Sequence, residues 1–468
     1  MNYIIVNLER INRVYLIGVG GIGMSALARY FNGQGKEVAG YDRVSKPLTQ
    51  QLEKEGVIIH YEDEPGLIPS AFTRDKKRTL IVYTPAIPSD HRELKFFTNH
   101  GYTVLKRSEV LGEISKGKNC LAVAGTHGKT SVSSMLAHLL NNSSFGCNAF
   151  LGGILKNYNS NLIVNRKSQL MVVEADEFDR SFLNLSPDMA LITSIDEDHL
   201  DIYNDKESIQ EAFEAFVNKL PQNGTLICHK DILLNIPGEK NLQTYTYSLN
   251  AGASFYASNI EIIDAKYRFD LVTPRETLKN FTLSVPGLVN VENSVAALSM
   301  AYIQNIDREY LFKNLSSFQG IERRFDIQFK QDGVVYIDDY AHHPREISYT
   351  IRSVRDFYPK RKIIGVFQPH LYSRTQHFAR QFAKSLELLD ELILLDVYPA
   401  REKPIKGVNS ELILKYIENI PGTVCSMEDL LDMLNERDIE ILITMGAGDI
   451  DRMVKTICNH LQERYSKE

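Results

Sequence analysis

Twice along the chain a short apolar run ends in a glycine-rich turn and passes directly into a helical pattern, and that order leaves few architectures open. Val14 to Ile17 leads into Gly18-Val-Gly-Gly-Ile-Gly23 and then MSALARYFNGQG. NCLAVA leads into GTHGKT and then SVSSML, ending at Leu136. A fully apolar strand, a tight turn and a helix form the repeating unit of parallel sheets covered by helices on both faces. Behind the first unit, KEVAGYD, TLIVYTPAI and YTVLKRS fit a parallel sheet continuing to about residue 108. Behind the second, LMVVEADE and MALITSIDEDH read as buried strands with acidic ends. Open parallel sheets bind ligands at the carboxyl ends of their strands, so these acidic ends are expected to face the crevice of the glycine loop. From about 225 to 285 short alternating runs (ASFYASNIEII, YRFDLVTP, NFTLSVPG) predict antiparallel strands. After GIERRFD, the runs GVVYIDDY, KIIGVFQPH, LILLDVYPA and IEILITMGAGD again alternate with helical stretches. The expectation is an α/β chain of three domains, joined near residues 108–118 and 320–328.

Composition agrees with that scale. The 468 residues exceed what one ordinary core holds. A hydrophobic share of 43% and a charged share of 24% are those of a soluble globular protein, and a net charge of -6 argues against nucleic acid as a partner. No apolar run approaches a membrane span, and the few apolar residues before Glu9 are too short for a signal peptide. Five scattered cysteines without a C-x-x-C pair read as reduced thiols, which predicts a cytoplasmic protein without structural zinc.

The first turn has Gly18, Gly20 and Gly23 in G-x-G-x-x-G spacing, includes Gly21 and Ile22, and is followed at the end of the next strand by Asp42. Such a turn brings a diphosphate to a helix N-terminus and an acidic residue to a ribose. A nicotinamide dinucleotide and a UDP-sugar carry both groups, so the turn alone leaves them open. The second turn is shorter than the usual G-x-x-x-x-G-K-[ST], with Val123 where the first glycine would fall. Its chemistry is nevertheless that of a phosphate loop. Backbone N–H groups open a helix, Lys129 supplies a compact charge for the β- and γ-phosphates, and Thr130 supplies a hydroxyl for magnesium. Two acidic clusters follow, Glu174, Asp176, Glu177 and Asp179, then Asp196, Glu197, Asp198, His199 and Asp201. Magnesium prefers oxygen, which makes Glu174 a natural ligand, and His199 would suit manganese equally well. In the last third, His342 and His343 stand between Asp339 and Pro344, and His370 precedes Arg374, each at a strand end where ligand contact is expected.

The ordered set GVGGIGM, AGTHGKT, VEADE, DEDHLD, GIERRFD, DDYAHHP, FQPHLYSRT and MGAGD resembles the Mur ligases of peptidoglycan synthesis, from residue 14 to about 450. The resemblance implies a UDP-substrate-binding Rossmann-like domain over 1–112, a central ATP-binding P-loop-type domain over 113–324 and a C-terminal Rossmann-like domain over 325–468 that closes over the site. It assigns ATP to Gly125, Thr126, His127, Gly128, Lys129, Thr130 and Ser131, and the UDP-substrate to Gly18, Gly20, Gly21, Ile22, Gly23 and Asp42. Glu174 and His199, with Thr130, match positions for Mg2+, with Mn2+ as an alternative. Arg324 matches a phosphate-side arginine, with Arg323 as its rival. Asp339, Tyr340 and His342 match a motif near nucleotide and substrate, and His370 and Arg374 one near the muramoyl and amino-acid substrates. Val289 stands where many members have histidine, leaving Asn290 and Asn293 for the nucleotide, and Leu371 stands where arginine is frequent.

The implied activity is ATP-dependent ligation of L-alanine to the carboxylate of UDP-N-acetylmuramate through an acyl phosphate, with His343 or His342 able to take the amine proton. The alternatives are a sister ligase that attaches a recycled tripeptide, a folylpolyglutamate-type ligase, an NAD-dependent oxidoreductase resting on Gly18 to Gly23 alone, and a non-catalytic nucleotide-binding regulator. FQPHLYSRT favours alanine over the tripeptide.

Overall fold

The computed structural model describes residues 6–196, 203, 206–236, 238–263, 266–331, 333–400 and 402–465. They build three sheets. The first holds β1 (Arg13–Ile17), β2 (Glu37–Tyr41), β3 (Ile58–His60), β4 (Thr79–Tyr83) and β5 (Thr103–Lys106), all parallel, in the order β3-β2-β1-β4-β5. The second comprises β6 (Asn119–Ala124), β7 (Asn148–Leu155), β8 (Ser160–Ile163), β9 (Leu170–Ala175), β10 (Met189–Ile192), β11 (Thr225–His229), β12 (Gln243–Ser248), β13 (Phe255–Ile263), β14 (Lys266–Val272) and β15 (Thr277–Leu283). Its order is β15-β14-β13-β12-β11-β10-β6-β9-β7-β8. The third comprises β16 (Asp326–Gln331), β17 (Val334–Asp339), β18 (Ile363–Phe367), β19 (Glu391–Leu395), β20 (Gly422–Cys425) and β21 (Ile441–Met445), in the order β16-β17-β21-β18-β19-β20.

Both glycine turns follow a strand at which the strand order reverses. From β1 the chain goes to β2 on one side and later to β4 on the other; from β6 it goes toward β7 and β9 on one side and later to β10 on the other. The crevice at such a reversal is where an open sheet takes a ligand, because the loops on its two sides diverge. The antiparallel expectation for 225–285 is corrected at its start. β11 runs parallel to both β10 and β12, and β12 meets β13 in parallel at Tyr247↔Phe255 and Ser248↔Tyr256. Neither corrected strand alternates: β11 is buried from Thr225 to Cys228 and β12 passes from exposed to buried, so the alternating runs, which begin at β13, did not describe them.

The chain divides into two compact units, Met1–Ser258 with Asp270–Phe281 and Asn293–Leu315, and Asn259–Phe269 with Thr282–Glu292 and Ser316–Glu468. Within the first unit one apolar cluster serves two sheets. Val14 and Leu16 of β1, with Leu27 and Phe31 of the helix Ile22–Gly33, pack in the same cluster as Ala122 of β6, Val173 of β9 and Phe182. The buried Asn161 of β8 strengthens this junction, donating to Ile22 O and to Ser25 Oγ at 3.1 Å while accepting from Arg29 at 2.7 Å. In the second unit, β17 alternates between two cores: Val335 and Ile337 face one, Val334 and Tyr336 the other.

The outer face of the first sheet buries a polar cluster among Tyr41, Phe72 and Phe97. Tyr15 donates to Glu93 Oε2 at 2.7 Å, His60 Nε2 lies 3.2 Å from Glu93 Oε1, and His91 Nδ1 lies 3.1 Å from Asp63 Oδ1. Burial pushes Glu93 up to about 7 and pushes both histidines down. The signs are opposite. Glu93 holds its proton better folded than unfolded, so its contribution is largest at low pH and is lost as pH rises to about 7. The histidines contribute above the ordinary imidazole range and lose it as pH falls. Glu93→Gln is therefore expected to remove a stability decline on the order of 2 kcal/mol between pH 4.5 and 7.5, the loss expected of a buried carboxyl that must ionise. Urea unfolding of wild type and variant at these pH values checks it; parallel pH profiles for the two proteins would refute it.

Candidate active site

In the first unit the Gly18 turn closes on β2. Gly18 (φ 88°) and Val19 donate to Tyr41 O at 2.7 and 3.0 Å, and Gly21 caps the helix Ile22–Gly33. Asp42, expected to meet a ribose, turns inward and accepts from Gly20 N–H at 2.8 Å. Arg107, which the sequence reading passed over, lies against Gly23, where an added Cβ would come within 2.9 Å of its guanidinium. The same guanidinium reaches Asp176 Oδ2 at 3.6 Å, and Lys106 reaches Asp179 Oδ2 at 2.7 Å. Arg107 thus joins the first turn to the first acidic cluster, and the adjacent Lys106 adds a second cation to that cluster. The sequence signal was there, in a Lys-Arg pair at the carboxyl end of β5.

β6 delivers the second loop. Gly125 (φ 131°) and Gly128 (φ 81°, the cap of the helix Lys129–Asn141) adopt backbone that favours glycine. Gly125 has no room for a side chain, since a Cβ there would stand 2.0 Å from Thr193 Oγ1, and Gly128 is tight, with a Cβ 3.0 Å from Asn293 Oδ1. Thr193 follows β10 and its hydroxyl meets both Ala124 O, at 3.1 Å, and His127 O. His127 N–H donates to Ser194 Oγ at 2.9 Å, and the His127 ring lies 3.4 Å from Asp196 Oδ2. Thr126 Oγ1 accepts from Asp196 N–H at 2.9 Å. Ser131, in the first turn of the helix, is half-buried.

Lys129 folds its ammonium back over the loop. Nζ lies 2.6 Å from Gly125 O and 3.3 Å from Thr126 O, and 3.0 and 2.7 Å from the two Glu177 oxygens. Burial works against this charge, but Glu177, Asp176 and Glu174 outweigh it, and the ammonium is pushed up to about 12. Thr130 Oγ1 donates to Glu174 Oε1 at 3.0 Å, while Glu174 Oε2 accepts from Gly152 N–H at 2.9 Å. Thr130 and Glu174 therefore form an oxygen pair at the head of the helix, the donor type a hard divalent cation takes. His199, with Glu197, Asp198 and Asp201, lies outside the described residues.

Asn290 and Asn293 sit on the helix Leu288–Ile303. Asn293 is set against Gly128, whereas Asn290 Nδ2 donates back to Pro286 O at 2.6 Å.

In the second unit β17 ends at Asp339, a buried carboxylate that accepts from Phe325 N–H at 2.8 Å and Ala341 N–H at 2.7 Å. Burial pushes it up to about 6, with Arg324 pulling the other way. Two guanidiniums approach the Tyr340 ring, Arg323 at 5.2 Å and Arg324 at 5.0 Å. Arg323 is committed to the fold. It donates to the buried Asp338 at 3.1 Å and to Gly446 O at 2.7 Å. His343 caps the helix Pro344–Phe357, buried with its ring 5.0 Å from that of Phe378. His342 is more open; its Nδ1 lies 3.0 Å from Tyr340 O and 3.3 Å from Glu346 Oε2, and its ring is 6.2 Å from His370. His370 stacks on Tyr398 at 5.7 Å and meets Arg374 Nη1 at 3.5 Å.

Family models match three successive stretches: the Mur ligase family catalytic domain over residues 13–119, the Mur ligase middle domain over 123–301 and the Mur ligase glutamate ligase domain over 323–448. The chain is similar to the UDP-N-acetylmuramate–L-alanine ligase of Parabacteroides distasonis, 51% identical over 461 residues that cover 98% of this chain and 100% of that one. It is similar also to the ligase of the same name in Phocaeicola vulgatus, 49% identical over 459 residues, 98% and 100% of the two chains. Its fold is similar to the crystal structure of the UDP-N-acetylmuramate-alanine ligase MurC from Thermotoga maritima, with a TM-score of 0.82 at 24% identity, covering 97% of this chain and 99% of that one.

The two adjacent arginines are expected to separate in a stability measurement. Arg323→Ala leaves the buried Asp338 without its cation, a loss of roughly 3 kcal/mol for a broken buried pair. Arg324→Ala is expected to lose clearly less, because the buried Asp339 that it faces keeps its two backbone N–H donors. Urea unfolding of both variants decides; equal losses would mean that Arg324 also belongs to the fold.

Proposed function

The chain is a member of the Mur ligase family, and from that premise we propose that it joins L-alanine to the carboxylate of UDP-N-acetylmuramate while ATP is cleaved to ADP and phosphate. The near-full-length likeness to ligases of that name carries the substrate assignment. The Gly125–Lys129 loop carries the ATP half: two glycines in backbone that favours glycine, backbone N–H groups at a helix start and a buried ammonium fit a polyphosphate. The nicotinamide reading left open by the Gly18 turn is not favoured, and neither is the recycling of a tripeptide.

The muramoyl carboxylate attacks the γ-phosphorus of ATP; the bond from that phosphorus to the β–γ bridging oxygen breaks, giving acyl phosphate and ADP. The amine of L-alanine then attacks the acyl carbon, phosphate leaves, and the amine loses a proton. An anion attacking a polyanion is slow unless cations offset the charge where it gathers, so the work of the protein is placement and charge. Lys129 meets the β- and γ-phosphates, and Arg324 is the phosphate-side arginine because Arg323 is held by Asp338. Thr130 and Glu174, with His199 in the proposed set, would hold Mg2+, and Mn2+ suits the same donors. When bound, the ion neutralises phosphate oxygens. His342 is better placed than His343 to take the amine proton, because His343 is buried as a helix cap. Gly18 to Gly23 take the diphosphate of the UDP-sugar, with Asp42 bracing the turn through Gly20. Asn293 is set beside the loop for the nucleotide, and His370 with Arg374 approach the muramoyl and amino-acid groups.

Lys129→Ala keeps the backbone cradle and removes the charge at the transferred phosphoryl group. Turnover is expected to fall by about 10²–10³, the usual worth of one well-placed electrostatic group, with a smaller change in ATP affinity. In wild type, hydroxylamine should trap the muramoyl hydroxamate, and the variant should yield none. Near-normal turnover in the variant, or release of AMP and pyrophosphate by wild type, would overturn the assignment.

A further inference from the structure

Lys129 is saturated as it stands. An ammonium has three N–H donors, and Nζ already faces four oxygens within 3.3 Å: Gly125 O, Thr126 O and both oxygens of Glu177. The pair is deep, with side-chain exposures of 12% for Lys129 and 3% for Glu177. A polyphosphate arriving in the loop therefore meets a lysine whose donors are engaged by a carboxylate of the protein.

The two partners differ in freedom. Glu177 sits in a turn fastened on both sides. Its carbonyl accepts from Arg180 N–H at 2.9 Å and from Tyr203 OH at 2.7 Å. Asp176 takes Phe178 N–H on its carboxylate at 3.1 Å and Phe182 N–H on its carbonyl at 2.9 Å. Asp179 and Arg180 follow with φ of 54° and 53°, a backbone region that such residues enter only when their surroundings impose it. Lys129 has a flexible four-carbon stem. Both backbones are fixed, Glu177 in this turn and Lys129 in the first turn of its helix, and the longer stem gives the ammonium the greater reach.

We propose that Glu177 is a positioning residue of the ligase reaction: it holds Lys129 while the loop is without nucleotide, and the ammonium passes from Glu177 to the polyphosphate when ATP binds and back to Glu177 as ADP leaves. This inference rests on the nucleotide reading of the loop. It follows that Glu177 competes with the nucleotide for one cation. Each binding event leaves a buried carboxylate with less of its counter-charge, which lowers nucleotide affinity and speeds product release.

The variant Glu177→Gln keeps the shape and a hydrogen-bond acceptor and removes the competing charge. The full-length protein, titrated calorimetrically with ADP and Mg2+, is expected to bind roughly tenfold more tightly than wild type, the order of one charge-assisted hydrogen bond. Glu177→Asp retains a carboxylate and should return the affinity toward wild type. Steady-state turnover of Glu177→Gln should fall while the first turnover stays near wild type, since ADP leaves more slowly. General damage to the loop would weaken ADP instead. A folded Glu177→Gln that binds ADP no more tightly than wild type overturns the proposal. Should the variant not fold, a crystal structure of wild type with ADP decides: Lys129 on a phosphate oxygen and off at least one Glu177 oxygen supports it, and Lys129 still on both overturns it. Failure of wild type to bind ADP at all would instead remove the nucleotide reading beneath it.

Discussion

Lys129 carries a positive charge to a place that water barely reaches, and a buried charge persists only with a partner and a set of hydrogen bonds. Glu177 supplies the first, and the Gly125 and Thr126 carbonyls supply the second. Those carbonyls point at the ammonium because Gly125 takes a backbone angle that other residues rarely adopt. Gly125 in turn has no space for a side chain because Thr193, from the neighbouring strand, fills it. Loop, acidic cluster and β10 are thus bound into one arrangement by a single ammonium. Its placement at a reversal of strand order is what leaves space for a ligand above it.

Much of this was legible in the sequence. The two strand–turn–helix units, the acidic end of β9 and the Gly-Lys-Thr cluster are local features, and each is in its expected element; most of the second acidic run lies outside the described residues. What escaped was everything that depends on a partner distant in sequence. Nothing in VEADEFDRS distinguishes Glu177, which pairs with Lys129, from Asp179, which pairs with Lys106. Arg107 looks like a helix-start residue until Gly23 and Asp176 arrive beside it. The strand direction past residue 225 escaped for a different reason: the alternating runs begin only at β13, whereas β11 is buried along nearly its whole length, as a parallel strand is.

The pair Arg323 and Arg324 shows how burial decides between chemically equal neighbours. Both guanidiniums approach the Tyr340 ring, at 5.2 and 5.0 Å. Arg323 (φ 62°) has its backbone turned so that the side chain runs to Asp338, a fully buried carboxylate that also accepts from Thr444 Oγ1 at 2.7 Å. Removing Arg323 would leave that acid without its cation, so the fold claims it. Asp339, one residue on, faces the other way and spends its oxygens on two backbone N–H groups. The same division recurs at the histidine pair, where His343 caps a helix and His342 stays accessible.

Where the first unit relies on glycine to bend its loops, the third sheet places a leucine in a comparable position. Leu371 has φ 69° and ψ 134°, a conformation open to glycine and costly, by about 1–3 kcal/mol, for a branched side chain. Three hydrogen bonds hold it: Leu371 N–H donates to Tyr398 O at 2.9 Å, and Leu371 O accepts from Thr375 N–H at 3.0 Å and Thr375 Oγ1 at 2.8 Å. Tyr398 N–H donates in return to Pro369 O at 2.8 Å, and its ring stacks on His370. The strain at Leu371 is thus tied to the orientation of the flanking His370, and Arg374 rises one helical turn later. A glycine there would relieve the angle and loosen the turn. A side chain forced into it fixes the approach of the helix Tyr372–Leu386 and, with it, the direction in which His370 and Arg374 are presented.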